Sequence, residues 1–205
     1  MPQPLSNHVF YGLDLGQRQD PSAFVILERA WELTGEFDHV TWEAGRALRF
    51  RLYHAERLAL GTPYVEIVER LRRLFESQTP RLSATPIPLS TPPRTLVVDA
   101  SGVGRPVVEL LRRAHLGCAL APITILASGS PREESGEEFV PRRDLLANLR
   151  ILMEKRLLRI ASRIHDRDAL IREILRVRDA SGSQHDDLVM TVALACWRAV
   201  RHLRL

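Results

Sequence analysis

The chain has 205 residues, of which 45% are apolar and 26% charged, and its formal net charge is +4. That length and mix suit one large globular domain over 1–205 and exclude a disordered, tail-like chain. No apolar run approaches the ~20 residues of a membrane span, and residues 1–10 do not form a signal sequence, so a cytoplasmic location with no membrane partner is expected. Cys118 and Cys196 lack metal-ligand spacing and read as two buried thiols in a reducing compartment. Lys155 is the only lysine among 29 basic residues. Arginine's planar fork grips two phosphate oxygens at once, which tilts the charge balance towards nucleic acid.

Val9 to Leu15 is the first element, a run without polar alternation that suits a strand buried on both faces. Asp-Pro at 20–21 marks the turn after it. Ser22–Leu33 reads as a second strand paired back on the first, and Val40–Leu58 carries a third, completing an antiparallel meander. Thr62-Pro63 opens a helix with Tyr64, Ile67, Val68, Leu71, Leu74 and Phe75 at helical spacing. Gln78–Arg94, with five prolines, reads as a connecting loop. Thr95–Asp99, the turn Ser101-Gly102-Val103-Gly104 and a helix over Pro106–Ala114 fit a parallel βαβ unit. The glycines read as tight-turn chemistry, since the Gly-Lys-Ser/Thr ending of a phosphate loop is missing. Ala119–Ala127 is another buried strand, and Ser128–Glu138 a loop or small hairpin. Pro141 opens a helix with Leu145, Leu146, Leu149, Leu152 and Met153 inward. Asp166–Val177 is a further amphipathic helix, Asp179–Gln184 a flexible connection, and Asp186–Leu203 a final helix apolar nearly all round. The order predicts a mixed sheet of about five strands flanked by helices, the first three antiparallel and the later ones parallel.

Asp14 is the misfit in its strand, because a buried carboxylate is costly unless paired, hydrogen-bonded or bound to a metal. Asp99 closes a second apolar run, and Asp186-Asp187 opens the apolar last helix. Acids at the ends of three buried elements suggest one convergent metal site. Alone, each has a bland explanation: a strand-end acid met by backbone donors, a turn-forming Asx residue, and a helix cap. Asp20, six residues past Asp14, is a lesser candidate for holding a metal-bound water. His185 could reach a metal or a phosphate, but loop histidines are more often solvated, and that is the favoured reading. Arg142, Arg143, Arg150 and Arg156 make a basic helix face suited to DNA phosphates. Trp31, Trp42 and Trp197 read as core or strand-face residues.

Four stretches in order, GLDLGQRQDPSAF, LVVDASGVGRPVVELL, VPRRDLLANLRILMEKRLLRI and HDDLVMTVALACW, resemble the nuclease domain of phage large terminases. The resemblance runs from about Val9 to Trp197. It implies a ribonuclease-H-like fold and a metal-dependent endonuclease that cuts concatemeric double-stranded viral DNA during packaging. It also implies two Mg²⁺ or Mn²⁺ ions, with Asp14 bridging them, Asp99 as the second ligand and Asp187 as the third, and Asp186 as a cap or as the partner of a metal water. Periodicity does not choose between Asp186 and Asp187; the resemblance favours Asp187. The implied partners are a packaging ATPase domain, a portal and a small terminase, in the host cytoplasm. No Walker A motif is present, so no ATPase domain is expected within these residues.

Other readings fit parts of the pattern. Gly12-Leu13-Asp14-Leu15-Gly16 resembles the first phosphate motif of actin-like ATPases and sugar kinases, but the second glycine-rich motif they need is not found. A resolvase- or transposase-type nuclease and a non-catalytic DNA-binding relative are the remaining alternatives.

Overall fold

The first strand, β1 (His8–Asp14), is built from residues that fit a pleated, fully buried surface, and Val9, Phe10, Tyr11 and Leu13 are all inaccessible. The computed structural model describes residues 7–16, 20–40, 42–77, 92–101, 104–178 and 186–201. Gln17–Gln19, the Gln78–Arg94 loop as far as residue 91, Gly102-Val103, and the connection 179–184 with His185 therefore lie outside the described residues.

In chain order the elements are β1, β2 (Ala23–Asp38), β3 (Glu43–Arg57), α1 (Tyr64–Ser77), β4 (Arg94–Asp99), α2 (Gly104–Arg113) and β5 (Ala119–Leu126). There follow β6 (Arg132–Glu134), β7 (Glu137–Pro141), α3 (Arg142–Glu154), β8 (Leu158–Ile160), α4 (Arg167–Arg178) and α5 (Asp187–Arg201). The strands form one sheet in the order β6-β7-β5-β4-β1-β2-β3-β8. β1, β2 and β3 are the expected antiparallel meander, and β4, β5 and β7 extend the sheet in parallel from the other side of β1. Helices flank the sheet, so the mixed α/β class read from the sequence is the one observed.

The strand count is a correction: among the described residues the sheet has eight strands, not about five. Ser128–Glu138 does form a hairpin, β6 with the start of β7, but β7 also joins the main sheet beside β5. β8 was not expected, and its three residues pair in parallel with Phe50–Leu52 of β3. Both additions are held by main-chain hydrogen bonds, which apolar periodicity does not report. Trp42 is a second correction, since it is 77% exposed near the β2–β3 turn, edge-on to Phe37.

Strand parity sorts the core into two layers. Val9, Tyr11 and Leu13 of β1 and Leu96 and Val98 of β4 pack with α1 and α2. Phe10 and Val97 face the other way, into a layer with residues of α3, α4 and α5. Asp14 has the parity of Phe10 and Gly12, and Asp99 that of Val97. Both acids therefore end their strands on the face that α5 covers. α5 is buried nearly all round because it lies between the sheet and the outer helices α3 and α4, which accounts for its lack of an apolar stripe.

Gly12 sets how closely α5 approaches. A Cβ there would lie 2.7 Å from the Thr191 carbonyl oxygen and 2.7 Å from Val25 Cγ2. Only a residue without a side chain fits between the strand and the helix. No helix among the described residues is long and apolar enough to cross a membrane.

Candidate active site

β1 and β4 are parallel neighbours, in register from Val9 opposite Arg94 to Leu13 opposite Val98. Continuing that register by one residue brings Asp14 beside Asp99 at the carboxyl ends of the two strands, the end at which open α/β sheets present their sites. α5 begins at Asp187 and crosses β1 at Gly12, which brings its first turn to the same end.

Asp14 feels this arrangement directly. Its pKa is raised to about 8, first by burial and then by the like charges of Asp99, Asp187 and Asp20. Asp99 is also raised by burial, while the Ser101 hydroxyl and backbone N–H pull it the other way. Ser101 N–H and Oγ–H both donate to Asp99 Oδ1, at 2.8 and 2.5 Å. Ser101 Oγ in turn accepts the Ile125 N–H at 2.6 Å. Asp99 thus makes the Asx turn that the sequence allowed, with its other oxygen, Oδ2, outside that turn. Asp20 is exposed at a bend.

The adjacent acids of α5 part company. Asp186 is paired with Arg142 of α3, the short contact bringing the Arg142 fork onto Oδ2. Asp187 stands in the first turn of α5, where the helix dipole favours a carboxylate, and Arg57 Nε approaches its Oδ2 to 3.7 Å. Asp187, and not Asp186, is among the charges acting on Asp14. Two neighbours on a helix diverge by about 100°. One faces the acids on the sheet, and the other faces α3.

Among the described residues, no three His, Cys, Asp or Glu side chains stand close enough together to hold an ion as they are. Each acid is engaged by a neighbour of its own: Asp99 is turned to Ser101, Asp186 to Arg142 and Asp187 towards Arg57. The donor set itself, hard carboxylate oxygens of which Asp99 and Asp187 stand near enough to raise the pKa of Asp14, fits a divalent cation such as Mg²⁺ or Mn²⁺.

The four arginines do not form one stripe. Arg142 spends its charge on Asp186. Arg143 is exposed and donates to the Gly129 carbonyl at 2.7 Å. Arg150 is exposed and paired with Glu154 one turn on, at 2.7 Å. Arg156 lies past the end of α3 in a left-handed turn, φ 54°, so it does not belong to the helix face. Sequence reading also missed two residues beside the acids, Arg57 at the end of β3 and Glu173 in α4. Only the lone acid in the apolar interior of α4 could have signalled the second.

Burial of Asp14 makes a sharp expectation for the metal-free chain. Its native pKa lies above the ordinary carboxylate value, so the native state holds a proton that the unfolded state gives up. Stability therefore falls as pH rises from about 4 to about 8. Asp14→Asn removes that loss. In EDTA it should melt several degrees above wild type at pH 8, on the order of 2–4 kcal/mol, and level with it near pH 4. Thermal melts at the two pH values check this, and a variant less stable than wild type at pH 8 contradicts it.

No protein-family model and no curated protein sequence matches the chain. Among solved structures, its fold is similar to that of the human cytomegalovirus terminase nuclease domain, a structure soaked with Mn and bound to an inhibitor. The TM-score is 0.52 at 12% sequence identity, over 95% of this chain and 86% of that one. The chain has a terminase-nuclease-like fold.

Proposed function

We propose that this protein is a metal-dependent endonuclease that hydrolyses double-stranded DNA, with Asp14, Asp99 and Asp187 holding two Mg²⁺ or Mn²⁺ ions. One observation carries the reading: three acids from β1, β4 and α5 are brought to the carboxyl end of the two central parallel strands, in a fold shared with a terminase nuclease domain. When bound, the ions would activate a water and neutralise the charge that builds on the scissile phosphate.

The chain's own residues prepare this. Ser101 fixes one oxygen of Asp99 and leaves the other to a ligand. The close contact at Gly12 holds the first turn of α5, and Asp187 with it, against β1. Arg142 keeps Asp186 turned to α3, where it can orient a metal-bound water. Asp20 borders the trio from the loop after β1. Arg156, exposed past the end of α3, and Arg143, exposed with its Nε 3.5 Å from Asp144 Oδ1, are the arginines that would meet DNA phosphates; Arg150 shares its charge with Glu154. A ribonuclease-H-like ancestry, with cutting of concatemeric viral DNA alongside a packaging ATPase, portal and small terminase, is the biological setting we attach to this reading.

The test is cleavage of supercoiled plasmid by the purified chain. Nicked and linear products should form with Mg²⁺ or Mn²⁺ and vanish with EDTA. A folded chain that leaves plasmid intact with both ions would favour the non-catalytic DNA-binding alternative.

A further inference from the structure

Resting on the metal-site reading above, we infer that Arg57, held by Glu173, is a resident counter-charge for Asp187 that sets how tightly the site takes divalent cations. Arg57 ends β3, and the strand's parity explains its direction. Phe50, Leu52 and Ala55 face the α3–α5 layer, the shift by one residue arising at the bulge opposite Ile26 and Leu27. Arg57, two residues past Ala55, extends to the same side, under α4 and the start of α5. Its backbone is fixed there as well, because its N–H donates to Asp166 Oδ2 at 2.7 Å while Asp166 N–H donates to the Ala55 carbonyl at 3.0 Å.

The guanidinium has two neighbours of unequal grip. Nη2 makes a short ion pair with Glu173 Oε1. Nε, buried and without a hydrogen-bond partner, faces Asp187 Oδ2 at 3.7 Å, beyond hydrogen-bond length. The other oxygen of Glu173 accepts the Val189 N–H at 2.9 Å, one of the amide donors that α5 leaves unsatisfied at its start. Glu173 is 2% exposed, so this carboxylate is a buried bracket between the helix that carries Asp187 and the arginine that leans on it.

The loose side of that bracket faces the candidate ligand. A cation 3.7 Å from Asp187 offsets part of the repulsion among the acids while no ion is bound, and it opposes a divalent ion that arrives at the same oxygen. Glu173 acts in the reverse sense, since it neutralises part of the Arg57 charge. The two residues are therefore positioning residues with opposite signs in cation affinity, although they are bonded to each other. A purely structural pair would lower stability in both variants and move affinity in neither, or in both alike.

The experiment measures Mn²⁺ binding to the full chain without DNA, from the decline of the free-ion electron paramagnetic resonance signal at pH 7.5. Arg57→Gln should bind Mn²⁺ about tenfold more tightly than wild type, because the positive charge is gone and Glu173 is left uncompensated. Arg57→Lys, which keeps the charge, should stay within about twofold of wild type. Glu173→Gln still accepts the Val189 N–H but no longer offsets Arg57, and should bind about threefold more weakly. Unchanged or weaker binding in a cooperatively melting Arg57→Gln overturns the inference. Should that variant not fold, equal or tighter binding in Glu173→Gln does the same. Asp14→Asn separates the two levels: wild-type binding that survives this change, or no wild-type binding at all, would fault the metal site itself, whereas binding that depends on Asp14 but ignores Arg57 and Glu173 would fault only their role.

Discussion

Replacing Asp14, Asp99 or Asp187 singly by Asn should lower Mg²⁺- or Mn²⁺-dependent plasmid cleavage by about 1000-fold or more, while leaving the fold intact. Each change removes a negative oxygen from a set of three and keeps the side chain's shape, so the several kcal/mol of charge stabilisation that bound ions supply is lost without a cavity. Asp186→Asn should behave differently. Its carboxylate is engaged by Arg142 and is not among the charges that raise Asp14, so a loss of about 10- to 100-fold is expected, as for a residue that orients a ligand rather than binding the ion. Initial cleavage rates of the four purified variants, compared with their melting curves, check both halves. Equal losses at 186 and 187 would mean that the pair acts jointly. Full activity without Asp187 would remove it from the site.

Gly12→Ala is expected to damage both stability and activity. The added methyl would stand 2.7 Å from the Thr191 carbonyl oxygen, a backbone atom that can yield only if α5 moves. Overpacking of this kind costs about 1–3 kcal/mol, more where the neighbour is main chain. The shift of α5 would also carry Asp187 away from Asp14 and Asp99. A misplacement near 1 Å costs about 100-fold in rate. Cleavage should fall by that order at a temperature where the variant remains folded, with melting lowered in parallel. Wild-type stability and rate together would show that α5 is not held at this contact.

Much of this was legible in the residues. The buried run around Val9–Leu13, the meander after it and the helical spacings of α1, α3 and α4 follow from apolar periodicity, which burial enforces. Asp14 and Asp99 stood out because carboxylates at the ends of such runs need a reason. What the sequence concealed was pairing that rests on main chain alone. β8 is Leu158-Arg159-Ile160 and β6 is Arg132-Glu133-Glu134, too short or too charged to announce a strand. The choice between Asp186 and Asp187 was hidden for a different reason. α5 is covered on nearly every side, so periodicity carries no direction, and only their tertiary neighbours Arg142 and Arg57 separate them. Those neighbours lie 44 residues before Asp186 in one case and on β3 in the other. The grouping of Arg142, Arg143, Arg150 and Arg156 as one helix face failed at its ends, because Arg142 turns inward to Asp186 and Arg156 falls beyond Glu154.

The most direct measurement of the central claim is an anomalous difference map from crystals of this chain soaked in Mn²⁺. Two peaks coordinated by Asp14, Asp99 and Asp187, both lost in Asp14→Asn crystals, are the expected result. A map with Mn²⁺ bound elsewhere and no peak at Asp14 would contradict the metal site and the nuclease chemistry built on it.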